Sequence, residues 1–202
     1  MAKRVLVLGI GNVLWADEGF GVRCIEAMAE QFALPDTVRL IDGGTQGLYL
    51  LPFLEESDAV LVFDAIDYGL PPGTLKIVHD DEVPAFTGAK KMSLHQTGFQ
   101  DVIATATLMG YRPRQMALIG CQAVELDDFG GGLRPLVAAR IPEALSIARD
   151  VLASWGIDIA EGRSDASLLA DPAIRRDAYE GGRPSAEEAC RTGDARFYDW
   201  AP

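Results

Sequence analysis

Residues 4–21 read RVLVLGIGNVLWADEGFG, and this stretch decides the fold. Val5-Leu6-Val7-Leu8 is an unbroken apolar run that ends at Gly9 and Gly11. Such a run predicts a short strand buried on both faces, and the glycines predict a tight turn after it. Helical spacing follows. Phe20, Val22, Ile25, Met28 and Phe32 fall on one face, with Arg23, Glu26 and Glu30 off it. Asp17 or a neighbour is expected to cap that helix. Strand, turn, loop and helix in this order put Glu18 at the mouth of the loop. Open α/β sheets place their chemistry there.

The pattern repeats downstream. Residues 37–41 (TVRLI) predict a second strand running into Asp42-Gly43-Gly44-Thr45, with a helix over about 46–55. Residues 59–63 (AVLVF) predict a third buried strand ending at Asp64-Ala65-Ile66-Asp67. The order β-α-β-α-β implies a parallel sheet with right-handed crossovers. Residues 74–79 alternate like an edge strand, 80–93 read as loop, and Ser93-Leu94-His95-Gln96 opens a helix to about Met109. A strand over 115–121, a polar glycine-rich stretch over 122–132 and a helix over about 135–154 complete the pattern. Pro142 marks either a kink or the true start of that last helix. The expected architecture is a three-layer α/β domain: a twisted, mostly parallel sheet of about five strands with helices on both faces. That domain is expected to span 1–158. Residues 159–202 are expected to form a poorly ordered tail with one short helix, because 161–202 carry nine acids and six arginines with little apolar periodicity.

Composition narrows the function. With 202 residues, 49% apolar, the chain can bury a proper core. A net charge of −12 argues against binding along a nucleic-acid backbone. Three widely spaced cysteines, Cys24, Cys121 and Cys190, suit a reducing compartment. The N-terminal apolar run is too short for a signal peptide, and no stretch reaches the roughly 20 apolar residues of a membrane span. The expected location is the cytoplasm and the expected state a monomer.

Four acids fall just beyond the C-terminal ends of strands expected to be parallel: Glu18, Asp42, Asp64 and Asp67. Clustered carboxylates repel unless a proton or cation lies between them. Each alone also reads as a cap or turn residue. His95 opens a helix after a long loop, where a capping or loop role competes with a functional one. Should the loop fold back over the strand ends, His95 meets Glu18 and Asp64. One imidazole and two carboxylates make a three-ligand set for a first-row divalent metal with an open position. His79 is expected at an exposed strand end. Dinucleotide binding fits poorly, since the third glycine of G-x-G-x-x-G would fall at Leu14. No G-x-S-x-G elbow is present, and Cys24 and Cys121 read as structural.

Taken together, G-I-G-N-x-L-x-x-D-E-G-x-G at 9–21, D-G-G-T at 42–45, D-A-I at 64–66 and H-Q-x-G at 95–98 resemble the motifs of the hydrogenase maturation endopeptidases. The resemblance runs to about residue 155 and leaves out the 161–202 tail. It implies an enzyme that removes a C-terminal extension from the large-subunit precursor of nickel-iron hydrogenase after nickel insertion. Cleavage would follow a basic residue beside the cysteine motif that binds the metal cluster. It implies metal contacts at Glu18, Asp64 and His95, with nickel supplied by the substrate and zinc or cadmium able to substitute in vitro. Asp42 would shape the site or serve as a catalytic base, and Asp67 falls outside the set. The family is sometimes grouped with aspartic-type peptidases, although no D-T-G pair is present here. The residues also leave room for a non-enzymatic nickel chaperone or scaffold, and more distantly for a nucleotide-binding protein.

Overall fold

The computed structural model describes residues 3–44, 46–80, 82–83, 94–164, 169 and 174–181. The chain divides into two compact units, residues 1–170 and 171–202. In the first, β1 (Val5–Ile10), β3 (Val38–Gly44), β4 (Ala59–Ile66), β5 (Leu75–His79) and β6 (Gln115–Gln122) form one five-stranded sheet in the order β3-β1-β4-β6-β5. The β1–β3, β1–β4 and β4–β6 pairs are parallel, and β5 runs antiparallel on the β6 edge. The strands run past the ends that periodicity suggests: β3 takes in the Asp42 turn and β4 takes in Asp64.

Alternation along the central strands explains the unbroken apolar run. Val5 and Val7 of β1, with Ala59, Leu61, Phe63 and Ala65 of β4, pack under α1 (Phe20–Gln31) and α5 (Ile141–Ser154). Leu6, Leu8 and Ile10, with Val60 and Val62, pack on the other face. That face is covered by α2 (Leu51–Glu55) and α3 (Leu94–Leu108). The result is the three-layer sandwich expected of βαβ units. A short α4 (Pro135–Ala138) precedes α5, and Pro142 sits in the first turn of α5, so it marks a helix start. Among the described residues no helix is long and apolar enough to cross a membrane.

Four expectations change. The first helix is not capped by Asp17: a 3-10 turn over Ala16–Gly19 intervenes, and the cap position, Gly19, has no side chain to bond. Arg23 does not lie on a solvated face. It is buried and pairs with Glu26 at 3.0 Å, because the first turns of α1 are covered on every side. The segment over 46–55 is a 3-10 turn (Gly47–Leu50) followed by the short α2. The tail also begins later than residue 159. A strand β7 (Ala160–Glu161) pairs with β2 (Phe32–Ala33). Ser164 then closes the link: its N–H donates to Ala29 O at 2.8 Å, and its Oγ accepts from the Leu34 N–H at 2.8 Å. Of the second unit, 174–181 are described, with a helix α6 over Arg176–Gly181. Most of the expected 80–93 loop lies outside the described residues.

Two glycines fix how α1 meets the sheet. A Cβ on Gly21 would lie 2.3 Å from both Ile10 O and Phe63 O, so a side chain there would drive the helix off β1 and β4. Gly11 adopts φ +132, and a Cβ on it would lie 1.8 Å from Glu18 O. All three oxygens are backbone and cannot swing aside. Gly21→Ala is therefore expected to destabilise the protein by about 3 kcal/mol, the upper range for an overpacked core. Urea unfolding should show a lower midpoint at unchanged slope.

Candidate functional site

The close approach at Gly11 and Gly21 seats the Ala16–Gly19 turn over the C-terminal ends of β1 and β4. Glu18 lies in that turn and is half-buried. The turn is held by one side-chain and several backbone bonds. Asn12 Oδ1 accepts from the Leu14 N–H at 3.0 Å, the Trp15 N–H donates to Asn12 O at 3.0 Å, and the Glu18 N–H donates to Trp15 O at 2.9 Å.

Asp64 continues β4 beyond Phe63 and is buried at 6% exposure. Strand alternation carries it onto the face of Val60 and Val62, the α3 side. Asp42 lies across β1 from Asp64, opposite Gly9 in the parallel register. Alternation sends Asp42 the other way, with Val38 and Leu40 onto the α1 side. The two carboxylates thus share one edge of the sheet and face different layers.

His95 lies in the first turn of α3, and its side chain lies outside the described residues. The helix direction still locates that turn. After α3 the chain reaches Arg114, whose N–H donates to Asp58 O at 2.9 Å, just ahead of β4. The C-terminal end of α3 is therefore at the N-terminal edge of the sheet. Fifteen helical residues rise about 22 Å. That length returns the first turn to the edge holding Glu18 and Asp64. Among the described residues no three His, Cys, Asp or Glu side chains are arranged to hold a metal ion. The start of α3 lies at the same edge as Glu18 and Asp64.

The electrostatics differ from acid to acid. Burial pushes the Asp42 carboxyl above its ordinary value, and the Gly44 N–H and the Arg23 guanidinium offset part of the rise. Its Oδ1 is buried with no hydrogen-bond partner among the described residues. Beside Asp64, burial and then the Asp64 charge hold the Tyr68 phenol well above its ordinary range, so Tyr68 stays a proton donor. Asp67 is committed elsewhere: its Oδ1 accepts from Gln122 Nε2 at 3.2 Å. Gln122 is buried and also accepts the Tyr68 N–H at 2.9 Å, which fixes the loop after β4. His79 is exposed at the end of β5, as expected.

Among the described residues neither thiol is a ready nucleophile. Burial raises the Cys24 thiol well above its ordinary value, and burial plus the Asp17 charge push Cys121 up to about 12. A concavity of about 500 Å³ lined by Phe32, Leu145 and Arg149 lies at the far end of α1, at the opposite edge of the sheet.

Three residues near the edge were not singled out as functional by sequence: Asp17, Arg23 and Gln122. Asp17 is wholly buried, and its carboxylate accepts three backbone N–H groups. The Arg23/Glu26 spacing was the one available signal, since i,i+3 charges can pair. Nothing local marked Gln122.

The comparisons agree on one family. The hydrogenase maturation protease family model matches residues 22–151, a span that includes Asp42, Asp64 and His95 and starts beyond Glu18. The chain is 67% identical over 196 residues to a hydrogenase expression/formation protein, HupD, of Rhodobacter capsulatus, covering 97% of this chain and 93% of that one. It is 40% identical over 157 residues to the hydrogenase 2 maturation protease of Escherichia coli, covering 77% of this chain and 94% of that one. The solved structure of the E. coli hydrogenase maturating endopeptidase HybD superposes with a TM-score of 0.75 at 38% identity, covering 79% of this chain and 98% of that one.

The buried Asp42 carboxyl has a stability consequence with a definite sign. A carboxyl whose folded value lies above its unfolded value supports the fold while protonated. That support is lost as pH rises through the folded value. Asp42→Asn is therefore expected to raise the melting temperature at pH 7. The gain should shrink toward zero below about pH 4, the ordinary range of a free Asp. Melting curves of both proteins from pH 3.5 to 7.5 check this.

Proposed function

The chain belongs to the hydrogenase maturation protease family and is an endopeptidase, and from that premise we propose that it removes the C-terminal extension of a nickel-iron hydrogenase large-subunit precursor once nickel is in place. Nickel here arrives with the substrate. Glu18 and Asp64 supply oxygen donors and His95 a nitrogen donor, a mixed set that suits nickel and also accepts zinc or cadmium. The observation that carries the reading is the shared edge. The Glu18 turn, the end of β4 with Asp64 and the first turn of α3 all reach the C-terminal rim of the sheet.

Peptide hydrolysis needs an attacking water, a base for its proton and stabilisation of the developing oxyanion. A bound divalent ion can polarise the scissile carbonyl or lower the pKa of the water. Asp42 is the candidate base. Burial raises its carboxyl, which strengthens it as a base, and the Gly44 N–H and then the Arg23 guanidinium offset part of that rise. Cys24 and Cys121 cannot substitute as nucleophiles, because burial keeps both thiols protonated. The attacking group in this reading is therefore water. The deeply acidic chain, at −12, also suits a substrate that is basic at the cleavage point.

Glu18→Gln, Asp64→Asn and His95→Gln keep side-chain size and remove a donor or its charge. Each should retain the far-UV spectrum of the parent and lose processing by about a hundredfold or more, as for loss of a group acting on the transition state. The measurement is the mobility shift of nickel-loaded large subunit incubated with purified enzyme. Full processing by all three variants would exclude the metal-contact reading. Tight precursor binding without cleavage by the parent would point to a holding role.

A further inference from the structure

We propose that Asp17 is a positioning residue. Its buried carboxylate clamps the Glu18 turn to the 123–134 loop, and so fixes where the Glu18 carboxylate stands. The inference rests on Glu18 acting in the site as proposed above.

The geometry is unusually complete. Asp17 is 0% exposed. Oδ2 accepts the N–H groups of Val124 at 2.9 Å and Glu125 at 3.0 Å, and Oδ1 accepts that of Arg134 at 2.7 Å. Three backbone donors on one carboxylate hold a charge that would otherwise be costly to bury. The backbone on both sides is tied to the same loop. The Ala16 N–H donates to Gly131 O at 2.9 Å, the Asp17 N–H to Glu125 O at 3.1 Å, and the Gly130 N–H to Leu14 O at 2.7 Å. Trp15 bridges Phe129 in antiparallel fashion, and their rings meet at 5.2 Å.

The turn needs holding. Ala16 sits at φ 39, a left-handed conformation that a residue with a Cβ adopts at a cost. Such a conformation persists where its surroundings over-determine it. The clamp supplies that constraint one residue before Glu18. Glu18 also follows Asp17 in a 3-10 turn of only four residues, so a shift at Asp17 moves Glu18 with it.

Asp17→Asn is nearly isosteric, but its amide offers one acceptor oxygen, and its NH₂ would face backbone N–H donors. Arg134→Pro tests the clamp from the other side. Arg134 sits at φ −64, which proline adopts, so this change deletes the N–H and sets the ring Cδ against Asp17 Oδ1, which breaks the clamp on that side. Arg134→Ala keeps that N–H and loses only the 2.7 Å side-chain pair with Asp128, so it serves as control.

The expected result is that Asp17→Asn and Arg134→Pro, assayed well below their melting temperatures, lose at least tenfold in kcat for precursor processing. Their affinity for Ni²⁺ alone should fall in parallel, and Arg134→Ala should stay within twofold of the parent. A merely structural residue would lower the melting temperature and leave the folded fraction with parental kcat and Ni²⁺ affinity, and that result overturns the proposal. Should Asp17→Asn fail to fold, the Arg134 pair decides by the same criteria. In the parent protein the amides of Val124, Glu125 and Arg134 should exchange with solvent at least a hundredfold more slowly than free amides. Unprotected exchange overturns the clamp whatever the variants do. If Glu18→Gln processes fully while these amides are protected, the fault lies in the site reading and not in the clamp.

Discussion

The contact on which the rest depends is a backbone-to-backbone one, between the first turn of α1 and the ends of β1 and β4. Gly21 lets the helix lie directly on the Ile10 and Phe63 carbonyls. Gly11 lets the returning chain pass against Glu18 O. No side chain separates these segments, so the turn carrying Glu18 is set by main-chain packing, which is stiffer than side-chain packing. The next residue after Phe63 is Asp64. One contact therefore brings two acids, 46 positions apart in sequence, to one edge.

The sheet makes this edge a sound place for chemistry. β1 and β4 are buried on both faces by alternate side chains, and their hydrogen bonds run through the strand ends. Groups standing just past such ends inherit the rigidity of the core while still reaching solvent. The loops that complete the edge are fastened individually: Gln122 holds the segment after β4, and Asp17 holds the segment after β6. Each fastening is a buried polar side chain whose hydrogen-bonding capacity goes largely to backbone groups. That is the arrangement in which burial of polarity costs least.

Much of this was legible in the sequence, for a simple physical reason. A strand covered on both faces must be apolar at every position, so Val5–Leu8 and Ala59–Phe63 announce themselves, and the acids just beyond them mark the carboxyl edge. Strand ends were the signal that singled out Glu18, Asp42, Asp64 and Asp67 in the sequence. Asp17 was misread as a cap because an acid ahead of a helix is so often one. Its real partners lie 107, 108 and 117 positions away, and no local pattern encodes them. Arg23 was misread because periodicity assigns charge to the wet face, whereas this charge is balanced inside by Glu26. The start of β7 was hidden because a two-residue strand on a polar segment has no periodicity to detect.

The alternation of side chains along parallel strands also separates the duties of the acids. Asp64 points to the α3 layer and Asp42 to the α1 layer, although one strand lies between them. Two carboxylates side by side on one face would raise each other's pKa and compete for a single cation. Placed on opposite faces they can be tuned apart. Asp42 is raised by burial, and the Gly44 N–H and then the Arg23 guanidinium offset part of the rise. Asp64 sits beside the Tyr68 phenol, which burial and then the Asp64 charge hold protonated. The same edge of one sheet therefore carries two carboxylates on different layers, so neither crowds the other.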